Sequence, residues 1–255
     1  MAEALILNKT LPCDGEYFPS PNKKYRETIV LVHHFGGSVY SLKRHQQFYN
    51  DLGYDCVGFN LSFQNIHTLN TWPLTADFKF GPRAVWVEEI ERVLNAVAGP
   101  KIVASFSFPS VSAAQAIARR WSADIRGWIT EGGPFLQVWR CYWNYVGIEK
   151  HIQNPVLRAS LATLSYEILR GATVENDLEQ ALEHMPNGFP ILSIRGWQDP
   201  LVPLSAMEAA FQESYKTKVQ TLSLPNAGHI DGLKKDPEEY KATVESFLKA
   251  IAQHV

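Results

Sequence analysis

The sequence predicts an α/β fold in which helices cover both faces of a mostly parallel sheet. Short apolar, β-branched runs alternate along the chain with longer segments of helical periodicity, which is the pattern of repeated βα units. The length of 255 residues, with 45% hydrophobic and 20% charged residues, fits one large domain or one domain with a modest insertion. In such a sheet ligands bind beyond the carboxyl ends of the strands, so we expect functional side chains just after the strands.

The first half of the chain predicts three strands and three helices in alternation. The strands are short apolar runs suited to burial, at residues 28–32, 55–61 and 101–104. The helices repeat apolar residues every three to four positions, at residues 42–52, 86–97 and 111–120. Gly53 follows the first helix and Gly99-Pro100 the second, which are residue types that end helices.

The second half continues the alternation and ends in a long helix. Strands are predicted at residues 128–130, 191–194 and 219–224, and a helix at residues 206–211. In the last helix we expect Asp236 as N-cap, Pro237 in the first turn and Glu239 reaching back as in a capping box. Its apolar face comprises Tyr240, Val244, Phe247, Leu248 and Ile251.

One connection is far longer than the others. About 60 residues lie between the predicted strands at 128–130 and 191–194, whereas most connections in compact domains are short. Residues 136–148 are rich in aromatic side chains, and residues 159–170 and 178–185 have helical patterns. We therefore predict a small helical cap insertion at residues 135–188, and a core formed by residues 1–134 and 189–255.

Composition narrows the class of partner. Lys and Arg number 24 against 26 Asp and Glu, so a net charge of −2 offers no overall attraction to nucleic acid. Residues 1–10 lack the basic start and apolar length of a secretion signal, and no stretch approaches the length of a membrane span. Cys13, Cys56 and Cys141 are widely spaced, as expected of free thiols in a reducing compartment. We expect a cytoplasmic protein that acts on a small, largely neutral molecule, in an oligomeric state that the sequence leaves open.

Ser107 stands where a predicted strand runs directly into a helix, in KIVASFSFPS at residues 101–110. A serine on such a sharp turn is lifted out of the sheet toward substrate. It also lies at a helix N-terminus, where free N–H groups favour a developing negative charge. Ser107 is the candidate nucleophile, although the local sequence alone favours an ordinary buried serine at a helix cap.

A serine hydroxyl needs a base, because it is a weak nucleophile at neutral pH. His229 follows the strand at residues 219–224, and imidazole is suited to proton transfer near neutral pH. Asp199 follows the strand at residues 191–194 and is the candidate acid that orients the base. One helix and one strand separate Asp199 from His229, so we expect their loops to be neighbours.

Three segments together resemble the α/β-hydrolase superfamily, in which the nucleophile, acid and base follow one another in this order. The segments are VLVHHFGGS at residues 30–38, IRGWQDPLVP at residues 194–203 and LPNAGHIDGLKKDPEEY at residues 224–240. The resemblance spans residues 28–247 apart from the insertion. It implies a doubly wound, mostly parallel sheet of the α/β-hydrolase type. It also implies a serine hydrolase similar to esterases and lipases, with no metal or organic cofactor.

The resemblance also implies an oxyanion hole. The family carries His-Gly-x-Gly-Gly where this chain has HHFGG at residues 33–37, so the backbone N–H groups of Phe35 and Phe108 are the implied donors. The family prefers glycine on both sides of the nucleophile, and this chain has Ser105 and Pro109 there. Pro109 restricts the backbone of Phe108. His34 replaces a glycine, and its ring either narrows this loop or reaches the site.

Other polar and aromatic residues leave alternatives open. Glu131 follows the strand at residues 128–130, where some relatives place the acid, but Asp199 has the better-matching Asp-Pro context. His33, His34, His45 and His67 follow no metal-ligand spacing, so no metal is expected. Four aromatic residues of the insertion could line an acyl pocket or pack the insertion onto the core: Trp139, Tyr142, Trp143 and Tyr145.

The expected function is hydrolysis of a carboxylic ester, or less favourably a thioester, of a small and partly apolar substrate through an acyl-enzyme on Ser107. A triad does not fix the bond that is cleaved. Amide, carbon–carbon or peptide cleavage, acyl transfer, and a non-catalytic ligand-binding role therefore remain alternatives. Dehalogenase and epoxide hydrolase chemistry is disfavoured, because the relatives with those activities carry aspartate in place of Ser107.

Overall fold

The computed structural model describes residues 11–62, 82–120, 124–212 and 214–252. The strands are β1 Glu16–Phe18, β2 Thr28–Val32, β3 Asp55–Phe59, β4 Lys101–Phe106, β5 Ile125–Glu131, β6 Pro190–Gly196 and β7 Lys218–Leu224. The α-helices are α1 Lys43–Leu52, α2 Pro82–Ala96, α3 Ser110–Arg120, α4 Val138–Ile148, α5 Pro155–Ile168, α6 Val174–His184, α7 Leu204–Ala209, α8 Gly232–Lys235 and α9 Pro237–Ile251.

The strands form one sheet in the order β1-β3-β2-β4-β5-β6-β7. All neighbouring pairs are parallel except β1 and β3, which run antiparallel. The predicted α/β class with a mostly parallel sheet is therefore confirmed. Strand β1 was not predicted, because three half-buried residues are too short to show an alternating pattern.

Alternate side chains of the central strands enter two separate cores on opposite faces of the sheet. Val103 and Trp128 pack with helices α2 and α3, whereas Ile102 and Ile129 pack with helices α1 and α9. This alternation follows from the pleat of a strand, whose successive side chains point to opposite faces. Helices on both faces leave the carboxyl end of the sheet as the place where loops meet.

The predicted elements agree with the observed ones apart from shifts at their ends, such as α7, which was predicted at residues 206–211. The predicted capping box of the last helix is wrong. Asp236 precedes the helix, but its side chain caps no N–H group of α9. Its carboxylate instead accepts hydrogen bonds from the backbone N–H and the side-chain amide of Asn226, at 3.0 and 2.6 Å. A tertiary partner has displaced the local one.

Three of the helices, α4 to α6, lie between β5 and β6, within the segment predicted as an insertion. Helix α4 packs against α5, and α6 packs against α3 of the core. Hydrogen bonds from α4 and from the residues just before it tie this segment to the chain after β6. The Asn144 amide donates to the Leu201 carbonyl at 3.1 Å, and the Leu136 N–H donates to the Ala206 carbonyl at 2.9 Å. The boundaries 135–188 stay a prediction.

Cys56 and Cys141 are buried and Cys13 is half-buried, all as free thiols, as predicted. Within the described ranges, no helix has the length and apolar character needed to cross a membrane. Residues 1–10, on which the expectation about secretion rests, lie outside the described residues.

Candidate active site

The structure brings Ser107, His229 and Asp199 together at the carboxyl end of the sheet. Ser107 follows β4, Asp199 follows β6 and His229 follows β7. Ser107 Oγ lies 2.8 Å from His229 Nε2, and His229 Nδ1 lies 2.7 Å from Asp199 Oδ2. Because a carboxylate only accepts hydrogen bonds, Nδ1 carries the proton that faces Asp199. Nε2 of the neutral ring is then left to accept the hydroxyl proton of Ser107.

The Asp199 carboxylate is fixed from both sides. Its second oxygen, Oδ1, accepts the backbone N–H groups of Leu201 and Val202 at 2.8 and 2.9 Å. Its side chain is only 1% exposed, so solvent does not compete for these bonds. Gly196 permits the close approach of the two loops, since a Cβ there would lie 2.4 Å from the carbonyl oxygens of Ala227 and Gly228.

Ser107 has the strained backbone expected of a sharp turn between a strand and a helix. Its φ of 59° lies in the left-handed region, which non-glycine residues seldom adopt. Its N–H donates to the Glu131 carbonyl at 2.9 Å, and its own carbonyl accepts the Ser110 N–H at 3.1 Å. Gly133 packs directly against this turn, because a Cβ at that position would lie 2.2 Å from the Ser107 carbonyl oxygen.

Buried hydroxyl groups form a chain beneath the turn. The Trp128 indole N–H donates to Ser105 Oγ at 2.8 Å, and Ser105 donates to Ser110 Oγ at 2.9 Å. Ser110 Oγ lies 3.0 Å from Thr130 Oγ1, and Thr130 donates to the Gly133 carbonyl at 2.5 Å. Ser105 therefore fits a position where glycine was expected, because its hydroxyl has a donor and an acceptor waiting. Nothing in the local sequence indicates this row of linked hydroxyl groups.

The two implied oxyanion residues lie close together. The rings of Phe35 and Phe108 both pack against Trp86, with centroids 6.2 and 6.5 Å away, and against Tyr142, at 6.3 and 5.7 Å. Among the described residues, the backbone N–H of Phe108 has no acceptor. A backbone N–H next to the serine is suited to bind a developing oxyanion.

His33 and His34 shape the loop that carries Phe35. His33 Nδ1 lies 2.8 Å from the His34 carbonyl, and His33 Nε2 accepts the N–H of Leu61 at 3.0 Å. His34 Nδ1 lies 3.1 Å from the Phe35 carbonyl. A Cβ on Gly37 would lie 2.6 Å from the ring of His34, so this ring fills the inside of its own loop. Burial lowers the pKa of both rings.

Glu131, the rival candidate for the acid, has partners other than His229. One carboxylate oxygen accepts the Gly232 N–H at 2.9 Å. The other accepts the Tyr240 hydroxyl at 3.0 Å and lies 3.2 Å from His45 Nε2. Burial by itself would raise the pKa of Glu131, but the hydrogen bonds from His45, Gly232 and Tyr240 outweigh it and hold that pKa below its usual value. In this geometry Asp199 faces the base, and Glu131 does not.

The aromatic residues of the insertion divide between two surroundings. Tyr142 packs against Phe35 and Phe108, beside the site. Trp139 and Trp143 stack on each other at 5.5 Å, and the Trp139 indole donates to Thr163 of α5, away from the serine. Over the described ranges no cluster of three or more His, Cys, Asp or Glu side chains could hold a metal ion, and His67 lies outside those ranges.

Comparison with known proteins finds similarity in structure and none in sequence. No family model matches the sequence, and no curated protein is detectably similar to it in sequence. Solved structures do match. The esterase Pf2001 of Pyrococcus furiosus has a TM-score of 0.60 at 16% identity, over 94% of this chain and 86% of the other.

Two further structures have similar scores. A carboxylesterase structure from Nitrososphaera gargenis has a TM-score of 0.61 at 14% identity, over 93% of this chain and 94% of the other. A monoacylglycerol lipase of Paleococcus ferrophilus has a TM-score of 0.56 at 13% identity, over 92% of this chain and 98% of the other. Likeness at such low identity shows a shared fold. The chain has the α/β-hydrolase fold, as the sequence resemblance implied.

Proposed function

We propose that the protein is a serine hydrolase that cleaves a carboxylic ester, or a thioester, of a small and partly apolar substrate. The observation that carries this proposal is the unbroken hydrogen-bond relay from Ser107 through His229 to Asp199, at 2.8 and 2.7 Å. Support also comes from the solved structures of the same fold, which include an esterase, a carboxylesterase and a lipase.

In the proposed reaction, Ser107 Oγ attacks the carbonyl carbon of the ester while its proton passes to His229 Nε2. Asp199 holds the ring in the tautomer that can accept this proton and stabilises the imidazolium that forms. The negative charge on the former carbonyl oxygen is bound by the backbone N–H groups of Phe35 and Phe108. One such donor typically contributes about 3 kcal/mol to the stability of the transition state.

The intermediate then collapses and expels the alcohol, which takes the proton from His229 Nε2 and leaves the acyl group on Ser107. Water attacks the acyl-enzyme in the same way, giving its proton to His229 and its oxygen to the carbonyl carbon. The carboxylic acid departs, and the Ser107 hydroxyl is restored. The chain supplies the nucleophile, the base and the oxyanion donors, and the ester and water supply the other reacting groups.

An apolar acyl group fits the surroundings of the serine best. The ring of Phe108, the residue after Ser107, packs against Phe135 at 5.6 Å and Tyr142 at 5.7 Å, and Tyr142 in turn packs against Phe35. Such a wall favours hydrocarbon over charged groups. A series of p-nitrophenyl esters of increasing acyl length should therefore show an optimum, and its position measures the depth available to the acyl chain.

Turnover of p-nitrophenyl esters by wild type and by Ser107→Ala tests the proposal. We expect the variant to lose about 10⁴-fold or more in kcat, as removal of a triad serine does elsewhere. Ser112→Ala is the matched control, since Ser112 is a buried serine of α3 whose hydroxyl, among the described residues, bonds only the Arg83 carbonyl, at 3.3 Å. It should retain activity. Equal turnover by wild type and Ser107→Ala would refute the proposal.

Labelling with a fluorophosphonate separates the alternatives. Modification of Ser107 without turnover of any ester would favour amide, carbon–carbon or peptide cleavage, or acyl transfer, by the same triad. A folded protein that resists labelling yet binds hydrophobic ligands would favour a non-catalytic binding role. Ester turnover that depends on Ser107 excludes the latter role.

A further inference from the structure

Glu131 holds an ionisable group that the proposed reaction does not use. The residue is 3% exposed, and its carboxylate lies among groups that are far from it in the chain. Its partners His45, Gly232 and Tyr240 are 86, 101 and 109 residues away in sequence. A buried carboxylate is costly unless its oxygens are satisfied, and here both oxygens have partners.

This one residue is bonded to both of the segments that carry the reacting groups. Its backbone carbonyl accepts the N–H of Ser107 at 2.9 Å. Its side chain accepts the N–H of Gly232, three residues after His229, at 2.9 Å. Glu131 therefore binds the nucleophile through its backbone carbonyl and the segment that carries the base through its side-chain carboxylate.

The residue that follows Glu131 strengthens this connection. Gly132 has a φ of 65°, and a Cβ there would lie 2.8 Å from the Ile230 side chain and 3.2 Å from Cε1 of His229. The His229 loop thus rests directly on the backbone at the end of β5. A displacement of the Gly232 N–H from Glu131 would move this loop relative to Ser107.

We propose that Glu131 is a positioning residue that sets the distance between Ser107 and His229, an assignment that rests on the proposed serine hydrolase function. What matters is the reach of its side chain, that is, its length: the carboxylate extends from β5 to the His229 loop and accepts the Gly232 N–H. The other carboxylate oxygen accepts the Tyr240 hydroxyl from α9 and lies near His45 Nε2 from α1. The charge of Glu131 has no part in proton transfer, which belongs to Asp199.

Two substitutions separate reach from charge. Glu131→Gln keeps the length of the side chain and an oxygen for the Gly232 N–H, and its amide can donate to His45 Nε2 and to the Tyr240 oxygen. Glu131→Asp keeps the charge but withdraws the carboxylate by about 1.5 Å, one carbon–carbon bond. Positioning by reach predicts that aspartate is the more harmful replacement. A role for the charge predicts the opposite order.

The expected result is a fall in kcat of about 10- to 100-fold for Glu131→Asp, the scale seen when reacting groups are misplaced by about 1 Å. For Glu131→Gln we expect a kcat within about threefold of wild type, and KM should change little in either variant, because neither contacts substrate. Tyr240→Phe is the control for a merely structural effect. It weakens the same buried cluster without releasing Gly232, so it should lower stability and leave kcat unchanged.

A spectroscopic readout makes the test independent of turnover. The His229 Nδ1 proton in its bond to Asp199 should give a far-downfield proton NMR signal, identified by its absence in His229→Asn. We expect this signal to be lost or shifted in Glu131→Asp and retained in Glu131→Gln and Tyr240→Phe. The proposal is overturned if Glu131→Asp keeps both the signal and wild-type kcat, or if Glu131→Gln is the more damaged variant. Absence of Ser107-dependent turnover in wild type would refute the proposed function instead, and the NMR comparison would still test Glu131.

Discussion

Acid is expected to destabilise this protein in part through one buried histidine, His33. Its Nδ1–H donates to the His34 carbonyl and its Nε2 accepts the Leu61 N–H. A protonated ring would have no lone pair left for Leu61, and its charge would lie at a position that is 2% exposed. Burial therefore lowers the pKa of His33 from 6.5 to about 4.

The sign of the effect follows from this lowered pKa. Between pH 6.5 and about 4 the unfolded chain binds a proton at His33 that the native protein refuses. As the pH is lowered through this window, the free energy of unfolding falls by about 1.4 kcal/mol for each pH unit, roughly 3 kcal/mol in all. Above pH 6.5 both states are neutral at this ring, and the contribution of His33 no longer changes with pH.

Urea unfolding followed by circular dichroism, repeated across this pH range, measures the effect. His33→Gln keeps a donor and an acceptor at the site but does not titrate. Its stability should therefore fall less steeply with acid than that of wild type, by about one proton's worth of slope. Identical slopes for His33→Gln and wild type would refute the reasoning.

Three further outcomes are expected. Ser105→Ala should lower the free energy of unfolding by about 2 kcal/mol, or the Tm by roughly 4–8 °C, because the buried Trp128 indole loses its acceptor; a calorimetric Tm within about 1 °C of wild type would contradict this. Asn144→Leu should lower kcat about tenfold with KM unchanged, since the loop that carries Asp199 loses its hydrogen bond to α4. An unchanged kcat would show that α4 does not position this loop. Gly133→Ala should abolish fluorophosphonate labelling of Ser107, because its Cβ would lie 2.2 Å from the serine carbonyl oxygen; full labelling would show that the turn tolerates the methyl group.

Much of the architecture could be predicted because burial leaves a mark on residue type. Residues 102–104 are apolar because β4 lies between two strands and is covered on both faces. The meeting of Ser107, Asp199 and His229 could be expected for a topological reason. Each follows a strand, and the carboxyl ends of parallel strands share one edge of the sheet.

The parts that could not be predicted depend on partners far away in the chain. Nothing near Glu131 in sequence indicates that it bonds Gly232, which lies 101 residues away. Asp236 carried the local pattern of a helix cap, yet the tertiary contact with Asn226 prevailed. Local sequence rules consider only the hydrogen-bond partners that lie nearby in the sequence. In the folded chain, groups that are distant in sequence compete for the same side chain.

Because of the strand order, we expect catalytic activity to be lost before the overall fold when the protein is warmed or exposed to denaturant. The nucleophile follows β4 in the middle of the sheet, whereas the base follows β7 at its edge, where β7 pairs only with β6 among the described strands. An edge strand opens locally at a lower free energy than the central strands. Gentle warming or dilute denaturant should therefore separate His229 from Ser107 and abolish activity while the bulk spectroscopic signal still reports a folded protein. Catalytic rate would then be a finer gauge of local opening than any global probe.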